Sequence, residues 1–376
     1  MIKFKKLCFL MFFIILLLIP INFLTVKSNI VFADGLNENI VSNNDLITYL
    51  SSSGSTGKSA GTTEELNTAK FLKTKLDDAG LSPYDTKNEE FLQQFSIGIG
   101  NVSYNVIGVQ KSKKDTQKTI AIGAHYDNTY STTGSAGVFN NATGVVTLLA
   151  LVKKLSTMDF DFNIHYCFFG ASDANQAGSS AYLNSIENKS NLLLYINLDS
   201  IGGGDYTYYY AGDCANSFTE AFNLQQNNIN ALPIYKKCDY ILSKQSYTHK
   251  GLQSDNITFL KKDINSITFF GGNYTSLSSG FKESDTYPNI SNTKKDNYLS
   301  FAEYYPNYVD KLNNVANSIY TALTNDELIG MLEKSNNEIH LTIFTNKGII
   351  LAIGILGILL LCGIRNKEKK EIIKNE

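Results

Sequence analysis

The sequence TIAIGAHYD, at residues 119–127, joins an uninterrupted apolar run to a histidine and an aspartate. A short apolar run of this kind is typical of a strand buried on both faces, as strands in parallel sheets are. Ligand sites in open α/β sheets lie beyond the carboxyl ends of the strands. We therefore predict a strand over residues 119–124 and a functional role for His125 and Asp127, which follow it.

Two further apolar runs end in the same way. Residues 163–171 lead into Ser172 and Asp173, and residues 192–198 lead into Asp199. The carboxyl ends of neighbouring parallel strands share one edge of a sheet, so the polar residues that follow them come close together. Three such ends indicate a site at this edge, whereas one alone would be an ordinary polar strand end.

Helical patterns separate these strands. Leu66, Ala69, Leu72 and Leu76 are spaced for one face of a helix over residues 65–79. Alternation of strands and helices is typical of α/β proteins with helices on both faces of the sheet. The predicted fold is a three-layer α/β/α sandwich with a mixed, mostly parallel sheet. Its other predicted elements are strands at 105–110 and 206–210 and helices at 144–155, 178–186 and 307–323.

The two ends of the chain carry apolar segments outside this alternation. Lysines precede an apolar run over about residues 7–24, and small residues suited to cleavage follow at 31–33. This layout is typical of a secretory signal over residues 1–33, although an uncleaved anchor would look similar. Residues 348–364 are apolar and precede a basic tail at 365–376, which predicts a membrane-spanning helix over residues 347–364 with a cytoplasmic tail. We predict a single-pass cell-membrane protein with its ectodomain outside the cell. A linker, the ectodomain and a stalk would occupy residues 34–44, 45–325 and 326–346.

The overall composition argues against one class of function. The 376-residue chain has a formal net charge of −2 and a pI near 6.1, so no basic field is available for nucleic acid. Three cysteines lie outside the apolar ends. Cys167 lies in an apolar strand and is predicted to be a core residue, and a disulfide between Cys214 and Cys238 is an open alternative.

The loops around the strand ends contain a series of short motifs. GAHYD at residues 123–127 is followed by NNATG at 140–144, which opens a helix, and by NLDSIG at 197–202. Further motifs are KSAGT at 58–62, FFGA at 168–171, SDN at 254–256 and NTKKD at 292–296. In this order the motifs resemble those of the di-zinc aminopeptidases, peptidase family M28, over residues 45–325. The resemblance implies an aminopeptidase fold with a two-metal cleft.

Three positions of the implied metal site are retained. The resemblance places His125 at the first imidazole ligand, Asp127 at the carboxylate that orients this imidazole, and Asp199 at the second aspartate ligand. In that family two zinc ions share a bridging aspartate, and a glutamate acts as the general base. The retained residues imply that ligands for one of the two metals are still present.

Four positions are changed. Asn140 stands where the resemblance implies the bridging aspartate, and Asp173 where it implies a glutamate ligand. Ser172 stands at the general base, and Asn292 at the last histidine. A catalytic zinc normally has three histidine, cysteine or carboxylate ligands, and a neutral amide is a poor bridge between two cations. We expect at most one weakly bound zinc, and the loss of the base is expected to lower the rate by about 10²–10⁴-fold.

These changes leave two hypotheses for function. The first is a membrane-anchored pseudo-peptidase, non-catalytic or weakly active, whose cleft binds peptides or a protein ligand. The second is an active metal-dependent aminopeptidase that releases N-terminal residues from peptides at the cell surface. The changed base and ligands favour the first hypothesis. A hard cation held by Asp127, Asp173 and Asp199 in place of zinc is also compatible with the sequence.

Four other polar residues are weaker candidates. His165 lies inside a strand and is predicted to be structural. His249 lies in a polar loop and is a weak candidate for the cleft. Glu283 and Asp285 precede Asn292 and could replace a lost acid.

Overall fold

A computed structural model describes residues 39–53, 57–85, 88, 90–211, 217–222, 234–236, 254–272 and 288–335. The predicted signal, membrane-spanning helix and tail lie outside the described residues. The same is true of Cys214, Cys238, His249, Glu283 and Asp285.

Nine described strands form one sheet. They are Ser82–Pro83 (β1), Leu92–Gly98 (β2), Asn101–Gln110 (β3), Thr119–His125 (β4), Asn163–Phe169 (β5), Leu192–Leu198 (β6), Tyr206–Tyr210 (β7), Ile234–Lys236 (β8) and Ser266–Gly272 (β9). Their order is β1-β3-β5-β4-β6-β9-β7-β8, with β2 paired to β3 outside this path. The sheet is mixed, as predicted.

Parallel pairing is concentrated at the centre of the sheet. Strands β5, β4, β6 and β9 run parallel to one another. Strands β1, β2, β3 and β7 bring four antiparallel pairs, and β8 pairs in parallel with β7. The predicted, mostly parallel arrangement is therefore found only at the centre of the sheet. The antiparallel strands β1 and β2 were not predicted.

Helices are packed on the sheet in two layers. The helices are Asn43–Ser53 (α1), Thr63–Asp78 (α2), Thr143–Leu155 (α3), Ala177–Ser185 (α4), Asn256–Leu260 (α5), Tyr298–Tyr304 (α6) and Tyr308–Leu323 (α7). Shorter turns lie at Tyr130–Thr133, Val138–Ala142, Lys189–Asn191 and Ser217–Phe222. Helix α2 begins after Thr62, whose hydroxyl accepts a hydrogen bond from Glu65 N at 3.2 Å and so caps the helix.

The two faces of the sheet bury different sets of side chains. On β4, Ile120 and Ile122 lie in a large core cluster with residues of α1, α2, α3 and α7. The residue between them, Ala121, lies in a smaller cluster with Tyr182 of α4 and Phe259 of α5. Because successive side chains of a strand point to opposite faces, the sheet lies between two helical layers.

Helix α3 is a core helix, although its sequence is apolar enough for a membrane-spanning helix. In the described part of the chain, only the segment Val138–Leu155 is long and apolar enough to cross a membrane, with a mean hydropathy of 1.2. It is 83% buried inside the protein, so the core accounts for its composition.

The chain continues to pack on the domain beyond α7. Leu328 and Leu332 are fully buried in the large core cluster, and Ser335 Oγ donates to Asn265 Oδ1 at 3.0 Å. These contacts extend the folded domain to at least residue 335, beyond the predicted boundary between ectodomain and stalk at residue 325.

Candidate metal-binding site

The carboxyl ends of β4 and β6 lie side by side, because these two strands pair in parallel. His125 is the last residue of β4, and Asp199 directly follows β6. Both side chains are buried, and His125 Nε2 lies 3.6 Å from Asp199 Oδ1. The register of the two strands thus brings together two of the residues singled out in the sequence.

Asn140 reaches the same place from the turn Val138–Ala142, which leads into α3. Its Oδ1 lies 3.1 Å from His125 Nε2. The turn is held by Asp296, a fully buried carboxylate that accepts hydrogen bonds from Phe139 N at 2.6 Å and Asn140 N at 3.3 Å. Sequence reasoning included Asp296 in a motif but gave it no role, and its function here is to fix the backbone at Asn140.

Asn141 ties this turn to both strands. Its Nδ2 donates to the backbone oxygens of His125 and Leu198, at 3.2 and 2.8 Å. Its Oδ1 accepts from the backbone nitrogens of Gly144 and Ser200, at 3.1 and 2.9 Å. Four hydrogen bonds use the full capacity of the amide, so Asn141 fixes the ends of β4 and β6 relative to the start of α3.

Close packing around Asn141 also explains the glycine that opens α3. A Cβ atom at Gly144 would lie 2.4 Å from Asn141 Oδ1 and 2.6 Å from the carbonyl oxygen of Leu198. Both distances are far inside van der Waals contact, and one of the two atoms belongs to the backbone. Only glycine fits here, which accounts for the last residue of the NNATG motif.

His125 is enclosed by two carboxylates. Its Nδ1 lies 3.3 Å from Asp127 Oδ1 and 3.2 Å from the carbonyl oxygen of the same residue. Burial lowers the pKa of the imidazole, but Asp127 and Asp199 outweigh that effect and hold the pKa of His125 well above its usual range. The raised pKa favours the protonated ring, in which Nε2 donates to Asn140 Oδ1.

Ser200 completes the group. Its hydroxyl lies 2.9 Å from Asn140 Oδ1 and 2.8 Å from Asp199 Oδ1, so it is placed to donate to either oxygen. We call His125, Asn140, Asp199 and Ser200 the histidine cluster. Its members come from two strand ends and one turn, and all four are buried. Sequence reasoning included Ser200 in the NLDSIG motif but gave it no role.

The other predicted site residues, Ser172, Asp173 and Asn292, form what we call the second half-site. Asn292 Oδ1 accepts hydrogen bonds from Asn140 Nδ2 at 2.7 Å and from Thr129 Oγ1 at 3.2 Å. Asp173 is exposed, and its backbone nitrogen donates to Asp127 Oδ2 at 3.2 Å. The structure therefore brings Asn292 to the histidine cluster but leaves the Asp173 side chain at the surface.

Ser172 lies beside a carboxyl group that sequence reasoning missed. Asp255 is fully buried, and neither of its carboxylate oxygens has a hydrogen-bond partner of ordinary geometry among the described residues. Burial raises the pKa of Asp255 to about 6, although the charge of His125 and the hydroxyls of Ser179 and Ser172 act to lower it. The signal in the sequence was the SDN motif, to which no role was assigned.

A second buried carboxyl lies behind Asp127. Glu65 accepts hydrogen bonds from Gly61 N and from the hydroxyl of Ser103, each at 2.6 Å. Burial raises the pKa of Glu65 to about 7, in part offset by these hydrogen bonds, while the charge of Asp127 raises it further. The carboxyl group therefore changes charge near neutral pH, close to the residue that orients His125.

The histidine cluster has the spacing of one metal site. Zinc bonds of about 2.0–2.1 Å place two tetrahedral ligands roughly 3.3 Å apart. The separations of His125 Nε2 from Asn140 Oδ1 and Asp199 Oδ1, 3.1 and 3.6 Å, bracket this value. These three residues fit a single divalent cation, although one ligand is a neutral amide and only one is a carboxylate.

The second half-site does not fit a metal. The Asn292 oxygen faces the Asn140 amide, Ser172 offers only a hydroxyl, and Asp173 is exposed. Within the described residues, moreover, no group of three histidine, cysteine, aspartate or glutamate side chains could hold a metal ion. The described residues therefore contain no complete two-metal site, and the histidine cluster offers only two conventional zinc ligands, His125 and Asp199.

Comparisons with known proteins identify the family of this chain. The sequence model of peptidase family M28 matches residues 105–316. A probable leucine aminopeptidase 2 of Aspergillus fumigatus is 30% identical over 125 residues, which cover 32% of this chain. The chain spans only 23% of the length of that relative.

Two solved structures have a similar fold. An aminopeptidase from Aneurinibacillus sp. strain AM-1 gives a TM-score of 0.55 at 14% identity, with coverage of 77% of this chain and 94% of that one. A glutaminyl cyclase from Bacteroides thetaiotaomicron gives 0.55 at 15% identity, with coverage of 78% and 99%. At such low identity the likeness shows the fold alone, and the two neighbours carry different activities on it.

Proposed function

Because the chain belongs to peptidase family M28, we propose that it is an aminopeptidase-like protein with a degraded two-metal site. It binds a peptide or protein ligand in its cleft and hydrolyses that ligand weakly or not at all. The observation that carries this proposal is the hydrogen bond from Asn140 Nδ2 to Asn292 Oδ1, at 2.7 Å. Two positions that the family resemblance assigns to metal ligands bind each other instead.

The loss of the general base supports the same conclusion. Ser172 takes the position of the base, and a serine hydroxyl stays protonated at neutral pH, so it cannot accept a proton from an attacking water. Asp255 lies next to Ser172 but is fully buried behind it. A serine in place of a carboxylate is expected to lower the rate by about 10²–10⁴-fold.

One observation favours a second candidate function. His125, Asn140 and Asp199 retain the spacing of a single metal site, so a one-metal aminopeptidase that releases N-terminal residues is the alternative. When bound, a zinc ion supplies Lewis acidity. In that case His125 and Asp199 would hold it, and Asp127 would keep the imidazole oriented.

We place this activity outside the cell, on a protein anchored by a single membrane-spanning helix. The support comes from the apolar segments at the two ends of the sequence and from the basic tail at residues 365–376. Protease added to intact cells should then remove the domain without lysis. A domain that is protected until the cells are lysed would contradict this arrangement.

The two candidate functions differ in metal content and in sensitivity to chelators. Purified full-length protein in detergent should retain at most one zinc per chain after dialysis. It should show no chelator-sensitive hydrolysis of aminoacyl-nitroanilides. Chelator-sensitive hydrolysis by the unmodified protein would establish the alternative, and two retained zinc ions would show that the second half-site is misassigned.

A combined variant tests whether the positions are assigned correctly. Asn140→Asp, Ser172→Glu, Asp173→Glu and Asn292→His together restore the side chains that the resemblance implies. Residues that act as a unit are expected to restore little zinc binding when they are changed one at a time, so the fourfold variant is the informative one. It should bind more zinc than the unmodified protein. A folded variant that binds no zinc would show that the ligand positions lie elsewhere.

A further inference from the structure

A large groove lies at the edge of the sheet opposite the histidine cluster. Its lining includes the first residues of three central strands, Thr119 of β4, Asn163 of β5 and Leu192 of β6. His125 stands at the other end of β4, six residue steps from Thr119, which corresponds to about 20 Å. The groove is therefore separate from the candidate metal-binding site.

The groove is large and polar. Its volume of about 1110 Å³ is above the range of roughly 300–1,000 Å³ for small-molecule clefts, which are mostly lined by apolar side chains. Here eleven of the 22 lining residues carry amide or hydroxyl groups, and four are aliphatic. The six amides are Gln93, Gln94, Gln117, Asn163, Asn188 and Asn191. This lining suits an extended polar ligand better than a compact apolar one.

The charges of the groove disfavour an anionic ligand. Four lining residues are acidic and two are basic, which gives a net charge of −2. Two of these six form ion pairs outside the groove lining, Glu90 with Lys73 at 3.2 Å and Lys114 with Asp161 at 2.5 Å. Phosphate- or carboxylate-rich polymers would therefore be repelled, whereas amides and hydroxyls both donate to and accept from neutral hydroxyl groups.

An aromatic side chain and an imidazole lie together in the groove. The rings of Tyr84 and His165 are 5.6 Å apart in an edge-to-face arrangement. His165 Nδ1 lies 2.8 Å from the hydroxyl of Tyr182, and no described residue forms a hydrogen bond with its Nε2. Burial lowers the pKa of His165 to about 4, so the ring is neutral. A hydroxyl group suits Nε2 in either tautomer, because it both donates and accepts.

We propose that this groove binds a neutral oligosaccharide. Tyr84, which is partly exposed, packs against the apolar face of a sugar ring. The exposed amides of Gln94 and Gln117 and the imidazole of His165 form hydrogen bonds with the sugar hydroxyls. This site is independent of the aminopeptidase-like cleft, and it gives the protein a second binding function directed at glycans.

Binding of defined sugars to the full-length protein in detergent tests the proposal. Chitotetraose or maltotetraose should bind saturably with a Kd of about 1 mM or below, measured by calorimetry. Tyr84→Ala should weaken binding at least about tenfold, whereas Tyr84→Phe, which keeps the ring, should retain it. Gln117→Ala, at an exposed position of the lining, should also weaken binding without disturbing the fold. Asn140→Asp serves as the control, because it lies at the other edge of the sheet.

Three results would overturn the proposal. The first is the absence of binding by both tetrasaccharides at concentrations well above 1 mM. The second is binding that Tyr84→Ala and Gln117→Ala leave unchanged while the folded state is intact. The third is preferential binding of an uncharged, end-blocked peptide, which would identify the groove as a peptide site. Asn140→Asp should not change any of these readouts, so failure here is distinct from failure of the proposed function.

Discussion

The histidine cluster and the second half-site differ in how they are supported. The cluster residues stand directly at the ends of β4 and β6 or in a turn that Asn141 and Asp296 fix by buried hydrogen bonds. In the second half-site, Ser172 and Asp173 lie in the loop after β5, and Asn292 lies in a loop before α6. One half keeps metal-like spacing, with Asn140 at a position where the resemblance implies an acidic ligand, and the other half has no such spacing.

This difference indicates that a side chain at a ligand position can be changed while the residues that fix its backbone, such as Asp296, hold the position in place. The backbone at Asn140 is held by Asp296, so a change of its side chain leaves the position intact. The Asp173 side chain is at the surface, and the backbone nitrogen of this residue donates to Asp127 Oδ2. Removal of scaffold residues should therefore affect the protein more strongly than removal of residues in the second half-site.

The largest effect is expected for Asn141→Ala. The substitution leaves two buried backbone N–H groups and two carbonyl oxygens without their partner, and each unsatisfied group costs about 1–3 kcal/mol. The free energy of unfolding should fall by at least about 3 kcal/mol in urea denaturation. Asn141→Asp, which keeps the acceptor, is the matched control and should cost less. Equal stability of the alanine variant and the parent would show that Asn141 is not the tie between the strands.

The next effect concerns pH and Glu65. The pKa of Glu65 is about 7 in the folded protein and 4.5 in the reference state, so the folded state holds its proton more tightly. This contribution is fully present below pH 4.5 and is lost as the pH rises through 7. It amounts to at most about 3 kcal/mol. Glu65→Gln should remove this part of the pH dependence of unfolding, and a slope unchanged in the variant would contradict the assignment.

A smaller effect is expected for zinc affinity. Asn140→Asp gives the histidine cluster a second carboxylate next to His125 and Asp199, and carboxylates are preferred zinc ligands. We expect binding to tighten by roughly 10–100-fold in competition with a chelator, comparable to the effects known for residues around metal sites. Asn292→His alone should tighten zinc binding less, because the second half-site would still offer only the exposed Asp173 and the hydroxyl of Ser172 beside the new imidazole. The contrast between the histidine cluster and the second half-site would be contradicted if Asn292→His alone tightened zinc binding more than Asn140→Asp does.

The sequence predicted the central elements of this fold well. Strands β4, β5 and β6 and helices α2, α3 and α7 lie within a few residues of their predicted bounds. Continuous apolar runs and helical spacing are patterns among residues that are close in the sequence. Burial of a strand on both faces makes its apolar run continuous and therefore easy to recognise. Strand β2 was missed because none of its residues is buried, and α1, which lies almost wholly within the predicted ectodomain, was not predicted as a helix.

The site was predicted in part. Residues at strand ends could be located because a strand and its polar end are adjacent in sequence, as for His125 and Asp199. The roles of Asn141 and Asp296 depend on contacts across 57 and 157 residues, and no local pattern encodes them. His165 was predicted to be structural and does bond Tyr182, but its place in a groove could not be read from a single strand.

The smallest effect is expected for Asp173→Ala. The side chain is exposed, and the hydrogen bond at this position that ties to Asp127 comes from the backbone nitrogen, which alanine retains. Surface substitutions of this kind change the free energy of unfolding by about 0.5 kcal/mol or less. Zinc content should also be unchanged, because the ligands that fit an ion are His125, Asn140 and Asp199. A clear loss of zinc in Asp173→Ala, with stability preserved, would place Asp173 among the ligands. It would then require the loop after β5 to turn inward when a metal binds, and the contrast between the two halves of the site would no longer hold.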